Sequence, residues 1–397
     1  MSWQPKRLNQ LGTVSRGRSR HRPRDAAHLY GGLHPFIQTG DVKHAGLYIT
    51  DYTQTYSDAG LEQSKLWPTG TLCITIAANI ADTAILGIDA CFPDSVIGFQ
   101  ADPHQADARF VKYLFDATIK HRAQQFSQGA TQDNLSQEKL LSLDFIVPKV
   151  DEQTRIADIL SAYDNLIENN RRRMALLEES ARLLYREWFV RLRFPGYEHT
   201  RIINGVPEGW ERETLGDVAH INQKNLSSTY DGEIEYIDIA SVTPGAINKT
   251  TPYNFRDAPS RARRIVDHGD IIWSCVRPNR CSHAVIWQPP ENLVASTGFA
   301  VITPVSLPTS FLYQAVTTKL FVGYLENHAK GAAYPAVVAG DFERAKILIP
   351  SSVLLSAFNE FAEPLLSEAH NLRTQNQKLR AARDLLLPRL MNGEIAV

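Results

Sequence analysis

A seven-residue period runs through Asp151–Phe189. Ile156, Tyr163, Asn170, Leu177 and Leu184 form one series, and Leu160, Ile167, Met174, Ala181 and Trp188 form a second beside it. Such a narrow seam over about five heptads predicts a long helix whose apolar stripe is matched by another helix. At ~1.5 Å per residue it would extend on the order of 55 Å, more than a compact core needs. Near the C-terminus Phe358, Leu365, Leu372, Leu379 and Leu386 repeat the spacing, each 202 positions after its counterpart in the first series. Matching length and register favour pairing within the chain, with a homodimeric coiled coil as the other reading. Asn170 is the polar member of the seam. It is either a tolerated polar residue or one that fixes register and antiparallel pairing at some cost in stability.

Two matching helices half a chain apart call for a search for an internal repeat. Trp3 and Leu11–Val14 (LGTV) correspond to Trp210 and Leu215–Val218 (LGDV), Gly70 to Gly269, Gly98-Phe99 to Gly298-Phe299, Phe110 to Phe311, and Pro148 to Pro350. The order is collinear at offsets near 200, so the chain is a tandem repeat. Early in each unit short β-like runs alternate with turns, as in Thr69–Ala78 and His268–Val276. Helical patterns follow at Ala108–Phe126 and Ser310–His328, then a last strand at Leu143–Pro148 and at Ala345–Pro350. The fold class predicted is α+β: two tandem α+β domains, each followed by a long helix, the helices pairing as an antiparallel coiled coil.

The expected divisions are a first domain over 1–150, a central helix over 151–193, a Gly/Pro-rich linker over 194–209, a second domain over 210–350 and a C-terminal helix over 351–397. Asp151 is placed as N-cap of the first helix, with Pro195-Gly196 stopping it. Ser351 or Ser352 caps the second, Pro388 with Gly393 closes it, and Pro364 is expected to kink it without breaking it.

At 397 residues, with 43% hydrophobic and 21% charged content, this is a multidomain folded chain. No run of eighteen apolar residues exists and MSWQPKRLNQ lacks a signal-peptide core, so a cytoplasmic location without membrane contact is expected. Cys73, Cys91, Cys275 and Cys281 form no CxxC or His-spaced pattern and are expected to be buried thiols, with no metal site. A GxxxxGK[ST] loop, a GxGxxG after a strand, HExxH and GxSxG are all missing, and no catalytic residue is assigned. Gln288–Asn292 (QPPEN) differs from an amino-methyltransferase NPPY-type motif at its first and last residues, and Pro93-Asp94 lacks the further acid and lysine of a nuclease cluster.

What remains is a binding architecture. Two similar globules at a fixed separation suit a two-part target along a rod, and a ~55 Å spacer matches on the order of fifteen base-pair steps of ~3.4 Å. The net charge of −1 carries no signal, but local patches do. Base-edge and phosphate contacts need Arg, Lys, Asn and Gln on loops or helix ends. Candidates in the first unit are Arg16, Arg18, Arg20, Arg22, Lys43, His44, Gln128, Thr131 and Gln132. In the second they are Asn222, Gln223, Lys224, Arg261, Arg263, Arg277, Asn279, Arg280, Lys330 and Tyr334. The RGRSRHRPR run has an alternative reading as a solvated surface loop, and Ser127–Ser136 as a helix cap. A stand-alone DNA-modifying enzyme and a coiled-coil protein-binding adaptor stay open as alternatives.

The segment Arg16–Gly46, the loop GATQDNLS before a proline-ended strand, DEQTRIADILSAYDNLIENN with its REWFV ending, and the closing Leu379–Val397 together resemble the specificity (S) subunit of type I restriction–modification systems. The resemblance covers essentially the whole chain in order. It implies that each globule is a target-recognition domain reading one half of a bipartite site on double-stranded DNA. It implies that the paired helices set the gap and dock two methyltransferase (M) subunits, with restriction (R) subunits joining them. S-adenosylmethionine, ATP and magnesium are then cofactors of those partners, with none in this chain. Gly331–Asp341 (GAAYPAVVAGD) departs from the first unit's GATQDN by lacking its Gln and Asn, so the two loops are expected to meet DNA differently.

Overall fold

The computed structural model describes residues 3–77, 80–126 and 136–397, the side chains of 120–126 excepted. Two compact units result. One joins residues 1–171 to 374–397, and the other is 172–373, so each unit owns part of both long helices.

In the first unit Gln4–Arg7 pairs antiparallel with Asp144–Val147, bringing the start of the chain to the strand that leads into the central helix. A five-stranded sheet runs Gly12–Arg16, Val96–Ala101, Leu72–Thr75, Thr83–Leu86, Tyr48–Ile49, and a four-stranded one Gln54–Tyr56, Tyr30–Phe36, Ala90–Cys91, Leu66–Trp67. The second unit repeats this plan. Glu211–Thr214 pairs with Lys346–Ile349. Four strands run Ala219–Ile221, Phe299–Pro304, Ile271–Ser274, His283–Val285, and four more Thr251–Asn254, Glu233–Ile237, Leu293–Ser296, Ala262–Ile265. Even the parallel pairing recurs, Phe36 with Cys91 and Tyr236 with Val294.

The repeat extends to backbone detail. Gly70 and Gly269 carry φ of 88° and 87° in the same turn, a conformation that strains other residues. Gly98 and Gly298 let a neighbouring side chain close in: a Cβ would lie 2.6 Å from the Trp67 ring at the first and 2.3 Å from Ile239 at the second.

Each core buries a helix against its sheet. In the first unit Phe110, Val111, Leu114 and Phe115 of the helix Ala108–Phe126 pack on Leu72, Ile74, Ile97 and Phe99. In the second unit the single predicted helix is two, Thr309–Val316 and Lys319–His328. The Thr318 hydroxyl accepts the Phe321 N–H at 3.2 Å and starts a new helix where the sequence pattern appears continuous.

The central helix spans Val150–Tyr185 and passes into a π-type turn at Arg186–Val190. Asp151 is therefore not its N-cap. It lies in the first turn with Glu152, where a carboxylate faces the positive end of the helix dipole. The C-terminal helix spans Ser352–Met391 unbroken through Pro364 and Pro388, and Gly393 follows in a left-handed conformation. The predicted linker is more structured than its composition implies. Ile202–Ile203 and Val206–Pro207 form a hairpin, and Phe194 is buried against Trp210 at 4.9 Å between ring centroids.

Within the first unit the two long helices meet through Asn170 with Asn376 and Asp164 with Arg383. Within the second they meet through Arg173 with Glu368 at 3.1 Å, Glu178 with Arg373 at 2.9 Å and Tyr185 with Phe358. Within the first unit the step from Asp164 to Asn170 goes with one from Arg383 back to Asn376, and within the second the step from Glu178 to Tyr185 goes with one from Arg373 back to Phe358, so in each the pairing is antiparallel. The seam residues Ile156, Leu160, Ile167, Asn170, Phe358 and Leu372 are buried. Tyr163, Leu177, Leu184, Leu365, Leu379 and Leu386 are half-buried at its flank.

Candidate nucleic-acid interface

In the first unit the basic segment is pinned to the turn before strand Val96–Ala101. The Gly17 N–H donates to the Val96 carbonyl at 2.8 Å and the Arg18 N–H to Phe92 at 3.0 Å. The arginines then divide by what they can reach. Arg18 Nε donates to the Ser64 carbonyl at 2.8 Å and ties the segment to a loop distant in sequence, while Arg22 Nη1 donates to the Ser19 and His21 carbonyls, both at 2.8 Å, and holds the loop's own backbone. Arg16 Nε donates to the Asp94 carbonyl at 2.9 Å and Arg24 pairs with the Asp94 carboxylate at 2.8 Å, both exposed. Arg20 is exposed, and among the described residues no acceptor meets its guanidinium. Lys43 and His44 end the short helix Thr39–His44, where His44 Nδ1 bonds the Gly40 carbonyl at 2.7 Å. Gln128, Thr131 and Gln132 lie outside the described residues.

In the second unit Asn222 is spent on the sheet: at φ 59° its Oδ1 accepts the Val301 N–H at 2.9 Å and its own N–H donates back to Val301 at 2.8 Å. Gln223 beside it is exposed. Lys224 pairs with Asp267 at 2.5 Å, a contact that raises the lysine pKa. Arg263 lies 4.4 Å from the Phe255 ring centroid, while Arg261 is exposed. Arg264 belongs to the same basic cluster in the sequence but not to the candidate contacts, and it bonds Asn225 at 2.7 Å; strand alternation between Arg263 and Arg264 is the signal that separates the two arginines.

Arg261 and Arg277 flank the same turn, since Thr297 N–H donates to the Arg261 carbonyl at 2.7 Å and Cys275 N–H to Gly298 at 2.8 Å. There the structure gathers Arg277, Arg280 and Tyr334 around a cleft of about 440 Å³, with Asn279 and Lys330 exposed on the adjoining loops.

The cysteines are not poised for chemistry. Cys73 and Cys91 are buried, while Cys275 and Cys281 are only partly so, a departure from the expected four buried thiols. Burial pushes the Cys275 thiol up to about 11, away from the reactive thiolate. Among the described residues no cluster of three or more His, Cys, Asp or Glu side chains could hold a metal ion, and no helix is long and apolar enough to cross a membrane.

These features define a tandem-repeat α+β protein with exposed guanidinium groups on its loops, built on an antiparallel helix pair. The chain belongs to the type I restriction modification DNA specificity domain family, whose model matches residues 1–179 and 207–352. The type I restriction enzyme MjaIX specificity subunit of Methanocaldococcus jannaschii is 23% identical over 421 residues, covering 100% of this chain and 94% of its own. The HindI specificity subunit of Haemophilus influenzae is 21% identical over 336 residues, covering 68% of this chain and 72% of its own. Among solved structures, the type I restriction–modification S subunit from M. genitalium shares the fold. It has a TM-score of 0.62 and 16% identity, covering 98% of this chain and 96% of that one.

Proposed function

We propose that this chain is the DNA-reading, non-catalytic subunit of a type I restriction–modification complex, with each unit taking one half of a bipartite site on duplex DNA. The observation that carries this reading is the duplication. Two units with one strand order, save for an added edge strand Tyr48–Ile49 in the first, each present cationic loops, and each closes on its own share of one antiparallel helix pair.

The helix pair serves as spacer and docking surface. Exposed apolar residues stand on it at repeat-equivalent positions, Ile159 and Phe361 being 202 apart and Leu183 and Leu385 also 202 apart. Ile159 with Leu385 belongs to the first unit and Phe361 with Leu183 to the second, which suits two copies of one methyltransferase subunit. Restriction subunits join that assembly. S-adenosylmethionine, ATP and magnesium act in the partner chains, which carry the chemistry.

Removing one heptad from each long helix with the seam phase kept shortens each by about 10.5 Å, or about three base-pair steps of ~3.4 Å. The methylated site of that variant should keep both half-sites and change its spacer. An unchanged spacer would overturn the spacer role.

A further inference from the structure

The cleft of the second unit is unusual in charge and in how it holds one side chain. Its wall includes Ile239, Val242, Pro244 and Val276, its rim carries Arg277, Arg280 and Tyr334, and among the described residues no carboxylate lines it. Among the described residues no carboxylate pairs with Arg277. The backbone there is left-handed, φ 51°, a conformation that a side-chain-bearing residue keeps only where its surroundings hold it. They do so from several directions. The Arg277 N–H donates to the Pro335 carbonyl at 2.7 Å, and Val337 N–H donates to Cys275 at 2.9 Å, which stitches the two loops together. Lys330 and Ala336 exchange backbone bonds of 2.9 Å that close the second loop. The Arg277 guanidinium then lies 4.6 Å from the Tyr334 ring centroid, and Nη2 donates to the Ala333 carbonyl at 3.4 Å. Tyr334 itself is 70% exposed, so it serves the arginine rather than the core.

A phosphate can be met by a lysine as a point charge or by a guanidinium fork that follows it, because phosphate oxygens accept from many directions. Fixing the plane of a guanidinium matters when two parallel hydrogen bonds must be made to one base edge. In the major groove guanine alone presents two adjacent acceptors, O6 and N7, whereas adenine pairs an acceptor with a donor that a donor-only fork rejects. We propose that Arg277 reads a guanine in the half-site taken by the second unit, with Tyr334 as the positioning residue that fixes the guanidinium plane. This inference rests on the reading that the chain holds duplex DNA.

The test selects bound duplexes from a randomised pool, using the full chain assembled with its methyltransferase partner, and measures affinity against salt. Arg277→Ala should lose a guanine preference at one position of one half-site and weaken the selected site roughly 5- to 150-fold, with the salt slope unchanged. Tyr334→Ala should relax the same position, and Tyr334→Phe should retain it. The other half-site, read in the same molecules, reports that the variants are folded. Uniform weakening across all sequences with the salt slope reduced by about one would make Arg277 a phosphate contact and overturn the proposal. So would an unchanged preference in Arg277→Ala. Failure of the wild-type complex to enrich any sequence would instead refute DNA reading itself.

Discussion

Asn170 offers the sharpest test of how the helix pair is specified. It is 2% exposed, and its Nδ2 donates to Gln375 Oε1 at 2.9 Å and to Asn376 Oδ1 at 3.0 Å. Asn376, also 2% exposed, donates from Nδ2 to the Ile167 carbonyl at 3.1 Å. Asn170→Leu leaves the Asn376 oxygen buried with no donor, while the Gln375 oxygen turns to water. The expected loss is about 1–3 kcal/mol, the cost of an unsatisfied buried acceptor. Asn376→Leu is milder, about 1 kcal/mol or less, because Asn170 keeps Gln375 and the Ile167 carbonyl remains within the helical hydrogen-bond ladder. Replacing both by Leu removes the stranded groups together and should be neutral or stabilising, so the pair couples strongly. Urea unfolding of the four chains of this double-mutant cycle gives the coupling energy. Additive losses with a coupling below about 0.5 kcal/mol would show that the two amides do not act as a pair. If the double variant also keeps its methylation spacer, the pair does not set register.

Asp164 is buried, accepts from the Tyr113 hydroxyl at 2.6 Å and pairs with Arg383. Arg383→Met strands that carboxylate and should cost about 3–5 kcal/mol in thermal or urea unfolding; a change under 1 kcal/mol would contradict the pairing argument. Burial lowers the His283 pKa from 6.5 to about 4. Between those values the unfolded chain binds a proton that the folded one excludes. The histidine's contribution is therefore intact above pH 6.5 and is lost as pH falls toward 4, by on the order of 3 kcal/mol. His283→Gln should flatten that part of the stability–pH curve, and an unchanged slope would refute the assignment. In the proposed assembly with two methyltransferase copies, Phe361→Glu with Leu183→Glu should remove one of them, read by native mass; an intact complex would show that docking occurs elsewhere.

The long helices were legible because a seven-residue period survives in the residues that face the partner. The second seam series of the C-terminal helix was not. It runs Leu355, Ala362, Ala369, Asn376, Arg383, Leu390, and its buried members include an amide and small alanines that carry no apolar signal. Asn376 and Arg383 reveal their role only once Asn170 and Asp164 are opposite them. For the same reason the arginine run could not be divided from sequence. Whether Arg18 holds the Ser64 carbonyl or Arg20 faces solvent depends on where a distant loop ends. Arg277 and Tyr334 were each picked out by residue type, but their stacking depends on backbone bonds between two loops far apart in sequence.

Whether the two units read two half-sites is decided by mapping the methylated adenines in DNA from cells that carry this chain with its methyltransferase partner. Methylation should fall in a motif of two unlike sequences separated by a fixed gap of unspecified bases, with Arg277→Ala relaxing one side only. A single contiguous motif, or the same methylation pattern when this chain is deleted, would contradict it.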